Sequence, residues 1–291
     1  MPRHVRSYQN ANRPIVDAGD KLAENLYFNL LRLSAGQRSQ AALEGFESVY
    51  VVLSGRCDIQ ADDEVFTGVG GRKDVWSGMA DSVYVPPGVA VTVSAAQSVE
   101  LAVAGARWQG RSAAFRVRPE EVETVEVGSV ASHSRRRICH ILGQNAGGRA
   151  GRLLVSERFT DPGCWSGYPP HKHDQDIPGQ ETAFQELYHF RYRPVVGAQR
   201  AGEAPPLGAP FGLQLVFQDD GTADCYMTGE GDCVLIERGY HPGVTSPGHE
   251  EYALTVMAGQ TQRSLVQHFH GDHRWLMQEI PGIQAMRDKF R

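Results

Sequence analysis

The sequence has no Cys-x-x-Cys or other close cysteine pair: Cys57, Cys139, Cys164, Cys225 and Cys233 are scattered and odd in number. That excludes a ribbon-type zinc fold and a small disulfide scaffold, and it reads as reduced thiols in a cytosolic protein. Lysine is scarce, limited to Lys21, Lys73, Lys172 and Lys289, and the formal net charge is −5. With no basic excess to draw in a phosphate backbone, nucleic acid is not expected as a partner. No run approaches the roughly 18 apolar residues of a membrane span, and the opening MPRHVRSYQNANRP lacks the apolar stretch of a secretory signal. A soluble, cytoplasmic, unprocessed chain with no membrane partner is expected. Helical periodicity is scarce as well. Only Lys21 to Leu33 and the tail PGIQAMRDKF, with Pro281 near its start, fit a helix of a turn or two.

What is present points to strands. The 291 residues suggest two domains. Glycine (32) and proline (16) make up about one residue in six, above the usual share of roughly 12%. Hydrophobic residues at 41% and charged residues at 22% describe an ordinary folded protein. SVYVVLSG, CDIQADD, SVYVPPG, VAVTVSA, VELAVAGA, GRLLVSERF, FGLQLVFQ, DCVLIERG and YALTVMAG alternate or run β-branched between turn residues, which predicts an all-β sandwich or barrel.

The chain also repeats itself. Aligning Asp81 to Val93 with Asp232 to Val244 sets Asp81 over Asp232, Val83 over Val234 and Gly88 over Gly239. Upstream, Phe46 to Val52 lies over Phe184 to Phe190, with Tyr50 over Tyr188. The copies differ where chemistry would reside, since Ser48 stands against Glu186 and Ala90 against His241. Histidine usage agrees: His4 alone precedes residue 130, and ten of eleven follow it. The reading is one β domain written twice, with residues 1–122 a copy without metal ligands and 123–291 the copy that carries the site. The stretch from Arg107 to Arg137 is expected to hold the crossover, and the triplet Arg135, Arg136 and Arg137 reads there as a solvated linker.

His171 and His173, two apart, project from one face of a strand while Lys172 points away. Glu186 on the next strand brings a carboxylate toward the same spot, and His241, after a Gly-Asp turn, approaches from a third. Three imidazoles and one carboxylate suit one divalent transition metal, namely zinc, iron, manganese, nickel or cobalt, and disfavour calcium or magnesium. His268 and His270, with His273 nearby, form a rival group that lacks a carboxylate strand and reads as exposed loop.

These segments resemble the two sequence boxes of the cupin barrel. CWSGYPPHKHD, GDCVLIERGYHPG and YALTVMAG, with GGRKDVWSGMADSVYVPPG in the first half, resemble the 5-deoxy-glucuronate isomerase family of myo-inositol breakdown. A more distant resemblance reaches 5-keto-4-deoxyuronate isomerase. The resemblance to the 5-deoxy-glucuronate isomerase family covers about residues 20 to 276 and implies a bicupin of two double-stranded β-helix (jelly-roll) barrels, with His171, His173, Glu186 and His241 as metal ligands. It also implies an aldose–ketose isomerase that converts 5-deoxy-D-glucuronate to 5-dehydro-2-deoxy-D-gluconate. Two alternatives share the ligand set: a cupin dioxygenase with a three-histidine, one-glutamate iron site, and a non-catalytic barrel that binds sugar acids. The chain departs from the family pattern at Leu215, Val216 and Phe217 after Gln214, and at Thr255, where substrate preference would shift.

A small-molecule sugar acid is thus the expected partner. Tyr188, two residues beyond Glu186, should face inward and donate to a developing oxyanion, whereas His189 alternates outward. Tyr168, Gln214 and Tyr252 are candidates for the inner wall. Arg238 and Lys172 are candidates for holding a uronate carboxylate. Homo-oligomerisation is left open, with long apolar strands such as SVYVVLSG needing covered edges.

Overall fold

A computed structural model describes residues 2–195 and 210–290. Strands dominate: each half of the chain builds one large and one four-stranded antiparallel sheet, and the second half adds the two-stranded pair His171–Lys172 and His268–Phe269. In the first half a five-stranded sheet runs in the order Phe115–Val117, Ser82–Val85, Phe46–Ser54, Val99–Arg107, Leu26–Leu33. In the second a seven-stranded sheet contains the same central order: Cys233–Ile236, Phe184–Pro194, His249–Gly259, Leu153–Thr160. The smaller sheets correspond too. Arg38–Ala42, Ala90–Ser94, Arg56–Ala61 and Glu64–Gly70 in one half match Trp165–Ser166, Gly243–Thr245, Gly212–Phe217 and Ala223–Thr228 in the other.

The repeat extends to register. Ser48 pairs with Val85 and Tyr50 with Val83, while Glu186 pairs with Ile236 and Tyr188 with Val234. The architecture is therefore an all-β bicupin, each unit a jelly roll of two packed sheets rather than one closed sheet. The N-terminal tail crosses between units, because Arg3–Val5 pairs with Cys233–Ile236 at the edge of the second unit's large sheet.

The two large sheets pack back to back, which explains their sequences. In Phe46–Ser54 every residue but Ser54 is buried. Phe46, Tyr50 and Val52 face their own unit, and Val49, Val51 and Leu53 face the other. A strand covered on both sides reads as a continuous apolar run. The same cause corrects one expectation. Leu26 to Leu33 is a strand paired along its length with Val99–Arg107, not a helix. With Leu26, Phe28 and Leu30 on one core and Tyr27, Leu31 and Leu33 on the other, its apolar density imitates a helix.

The arginine triplet is not a solvated linker either. Arg136–Leu142 is a strand of the large sheet, paired to Leu153–Thr160. Arg135 is exposed beside Asp161 at 3.5 Å, Arg137 lies over the Phe159 ring, and Arg136 is 3% exposed. The tail does form a helix, Ile283–Asp288. Its N-cap Gly282 adopts φ 79°, where an added Cβ would sit 2.1 Å from the Glu126 carbonyl oxygen. Ile283, Met286 and Phe290 pack that helix onto the second unit.

Candidate functional site

Alternation along Phe184–Pro194 decides which side chains reach the inside of the second unit. Tyr188, Phe190 and Tyr192 fill its inner core, while Leu187 joins the core between the units and His189 packs near Phe28 of the first, with ring centroids 5.7 Å apart. Glu186 shares the phase of Tyr188 and is 3% exposed. His171 on the short strand His171–Lys172, His173 just beyond it, and His241 after Cys233–Ile236 converge on the same place. Ligand atoms of the three histidines lie within 4.8 Å of one another, all buried. Oε2 of Glu186 is 3.0 Å from Nε2 of His173 and 3.1 Å from Nε2 of His241.

Tautomers follow from the outer contacts. Nδ1 of His241 is 2.8 Å from the Gly239 carbonyl, Nδ1 of His171 is 3.2 Å from that of Pro169, and Nδ1 of His173 is 3.4 Å from that of Phe184. Only a protonated Nδ1 satisfies a carbonyl, so each Nε2 presents a lone pair to the centre. The Gln267 amide, 2.9 Å from Nε2 of His171, donates to one of them. Nε2 of His241 is buried without a hydrogen bond among the described residues, although the carboxylate is near, because the geometry is misaligned. Lone pairs facing a carboxylate at about 3 Å require a proton or a cation between them, so the donor set fits a transition metal.

Electrostatics agree. Burial alone would raise Glu186, but His173 and His241 outweigh it and hold the carboxyl well below its usual value, as an anion. Burial, then His241 and His173, push His171 well below the ordinary imidazole value, so it stays neutral, the form that ligates metal. Burial also opposes charge on His173, yet Glu186 prevails and raises it.

A cavity partly open to solvent meets this cluster. Tyr188 lines it beneath the Arg158 guanidinium, 4.9 Å from the ring centre. Burial first, then the Glu186 charge, lift its phenol well above the ordinary value, so Tyr188 is a proton donor and not a base. Thr255 lines the cavity, whereas Leu215 does not.

Other candidates lie elsewhere. The Tyr252 phenol donates to Glu157 (2.9 Å) in the core between the units, on the opposite face of its strand. Gln214 sits behind His241, its amide donating to the carbonyls of His241 (2.8 Å) and Pro242 (3.1 Å). Tyr168 packs on Trp165 and His273 and offers its carbonyl to Arg136. Lys172 points away, pairing with Asp219 at 3.1 Å, and Arg238 is exposed. His270 packs against Tyr240 and His273. Among the described residues the one histidine cluster with metal-ligating spacing is His171, His173 and His241.

The lining residues that the sequence does not announce include Arg136, Arg158, Gln267, Met286 and Phe290. Two signals were available. Arg136 and Ile138 alternate with Cys139 and Ile141 on opposite faces, and Ile283, Met286 and Phe290 fall at helical spacing.

Comparison with known proteins places the chain. Residues 3–276 match the model of the KduI/IolB family. A 5-deoxy-glucuronate isomerase of Geobacillus kaustophilus is 36% identical over 257 residues, 88% of this chain and 87% of the relative. One from Lacticaseibacillus casei is 33% identical over 90% of this chain and 91% of its own. The crystal structure of an IolB-like protein from Salmonella typhimurium LT2 superposes with a TM-score of 0.81 at 29% identity, covering 95% and 99% of the two chains. Lactobacillus farciminis oxalate decarboxylase, 9% identical with a TM-score of 0.61 over 94% and 87%, shares the fold alone. A match over nearly the whole length, at this identity, means that the chain belongs to the KduI/IolB family and is an isomerase.

Proposed function

We propose that the chain interconverts an aldose and a ketose of a sugar acid, taking 5-deoxy-D-glucuronate to 5-dehydro-2-deoxy-D-gluconate as a cytoplasmic step of myo-inositol breakdown. The carrying observation is the convergence of three buried imidazoles and one carboxylate, with His171, His173 and Glu186 lining a cavity, in a chain whose relatives are named 5-deoxy-glucuronate isomerase. His171, His173, Glu186 and His241 would hold one divalent transition metal, zinc, manganese, iron, nickel or cobalt. Such a cation supplies Lewis-acid stabilisation of charge that develops on adjacent carbonyl and hydroxyl oxygens.

The chain's own side chains do the rest. Tyr188 keeps its proton at neutral pH and is the donor to the developing oxyanion. Arg158, over the Tyr188 ring and held by Glu251 at 3.0 Å, places hydrogen-bond donors on the wall where negative charge accumulates. Met286 and Phe290 of the C-terminal segment restrict water on one side. Gln214 positions His241 through its backbone. In this reading residues 1–122 form a supporting unit without ligands, since Ser48 occupies the Glu186 position, and residues 123–291 form the working one.

The test is metal analysis of the purified protein, followed by incubation with 5-deoxy-D-glucuronate in heavy water under NMR. Conversion that ceases on chelation, returns with a transition metal and introduces carbon-bound deuterium is expected. A metal-loaded protein that leaves the sugar unchanged would refute the reading.

A further inference from the structure

Fully buried guanidinium groups in this fold are matched by carboxylates: Arg72 by Glu157 at 2.6 Å and Arg158 by Glu251 at 3.0 Å. Arg136 is the exception among the described residues. It is 3% exposed, and its hydrogen bonds run to two backbone carbonyls, from Nη1 to Ser134 at 2.7 Å and from Nη2 to Tyr168 at 2.9 Å. Two neutral acceptors leave most of its five N–H donors, and the whole of its charge, uncompensated. A buried charge without a counter-ion is costly, so stability does not explain it. Its surroundings deepen the deficit. Burial, then the nearby Arg158 charge, push Arg136 down to about 9, still protonated at neutral pH.

The unmet donors are arranged together. Arg136 pairs across the sheet with Thr160, and Ile138 with Arg158, so Arg136, Arg158 and Thr160 share the inward face of two adjacent strands. Thr160 Oγ1 and Arg158 Nε are both buried without a partner among the described residues. Arg136 and Arg158 line the same cavity as His171, His173 and Glu186.

We propose that Arg136 is the carboxylate-binding residue of this cavity, its guanidinium receiving the acid end of a sugar acid while the reacting carbons lie at the histidine cluster. The inference rests on the sugar-acid reading above and adds the group that selects the acid. A guanidinium grips a carboxylate through two parallel hydrogen bonds, which an ammonium does not reproduce.

Calorimetry of the metal-loaded protein with D-glucuronate and its neutral amide, D-glucuronamide, tests it without turnover. The wild type should prefer the acid by on the order of 30-fold, the worth of a charge-assisted hydrogen-bonded pair. Arg136→Met, with metal content and melting temperature retained, should bind the two within about threefold of each other, the loss falling on the acid. Arg136→Lys covers the case in which the Met variant does not fold. It should lose about tenfold toward glucuronate and little toward the amide, because it keeps the charge without the fork. A wild type that binds both alike, an unchanged preference in Arg136→Met, or equal losses for both ligands in Arg136→Lys would overturn the assignment. The two readings fail separately: acid selectivity lost with Arg136 in a protein that converts no sugar acid refutes the isomerase alone, and conversion with selectivity independent of Arg136 refutes this inference alone.

Discussion

Nη2 of Arg72 lies 2.6 Å from Oε1 of Glu157 and Nη1 lies 3.1 Å from Oε2, so one bidentate, fully buried ion pair joins the first unit to the second. Tyr252 completes it by donating to Oε1. Removal of one partner strands a charge in the core between the sheets. Glu157→Ala should therefore cost about 3–5 kcal/mol, whereas Arg72→Met combined with Glu157→Leu should recover most of that. Denaturant midpoints of the two single variants and the double decide, and a double variant that costs as much as the sum of its two single substitutions would show that the pair is not coupled.

Gln214 touches no ligand nitrogen, yet its amide holds the carbonyls of His241 and Pro242. Gln214→Ala should weaken metal binding by roughly 10–100-fold, as is usual for groups that orient a ligand, while one ion per chain still binds at saturation. Competition with a chromogenic chelator measures this. Unchanged affinity would assign Gln214 to packing alone.

Two tyrosines on adjacent strands separate site from scaffold. Tyr188→Phe removes the cavity's phenol and should lower kcat by about 100-fold with little change in KM, the loss expected of a proton donor. Tyr252→Phe removes only a hydrogen bond to Glu157 and should leave kcat within about twofold while costing about 1 kcal/mol of stability. Steady-state kinetics on 5-deoxy-D-glucuronate, with melting curves, tell the two apart. The reverse pattern would relocate the chemistry.

The contrast between those tyrosines marks how far the sequence is legible. His171 and His173 could be assigned one face because period-two spacing on a strand is geometric, and the repeat aligned Ser48 with Glu186 in the register the sheets adopt. Tyr252 could not be phased in the same way. His249–Gly259 is buried along almost its whole length, so no alternation of polar and apolar residues shows which side faces the cavity. Arg136 failed for another reason. Three consecutive arginines resemble solvated surface, and only the pairing of that strand with Leu153–Thr160 turns the second of them inward. Lys172 was assigned by phase and does point away, toward Asp219.

His140 offers a test that is independent of the active site. It is fully buried on Arg136–Leu142, edge-on to Phe290, and neither ring nitrogen has a hydrogen-bond partner among the described residues. Burial, and then the Lys289 charge, lower its pKa from 6.5 to about 4. Above 6.5 the folded and unfolded chains both hold it neutral, and it contributes no pH dependence. Between 6.5 and about 4 the unfolded chain binds a proton that the folded chain refuses, so stability falls as the pH falls, by up to about 1.4 kcal/mol per unit. His140→Leu deletes that proton while His171 and His189, also lowered by burial, titrate in both proteins. The variant should therefore gain on the wild type by about 3 kcal/mol as the pH falls from 6.5 to 4. It should also lose little at neutral pH, since the imidazole it replaces satisfies no polar partner. Denaturant unfolding of both proteins across that range measures the difference, and parallel pH profiles would mean that His140 is protonated inside the fold.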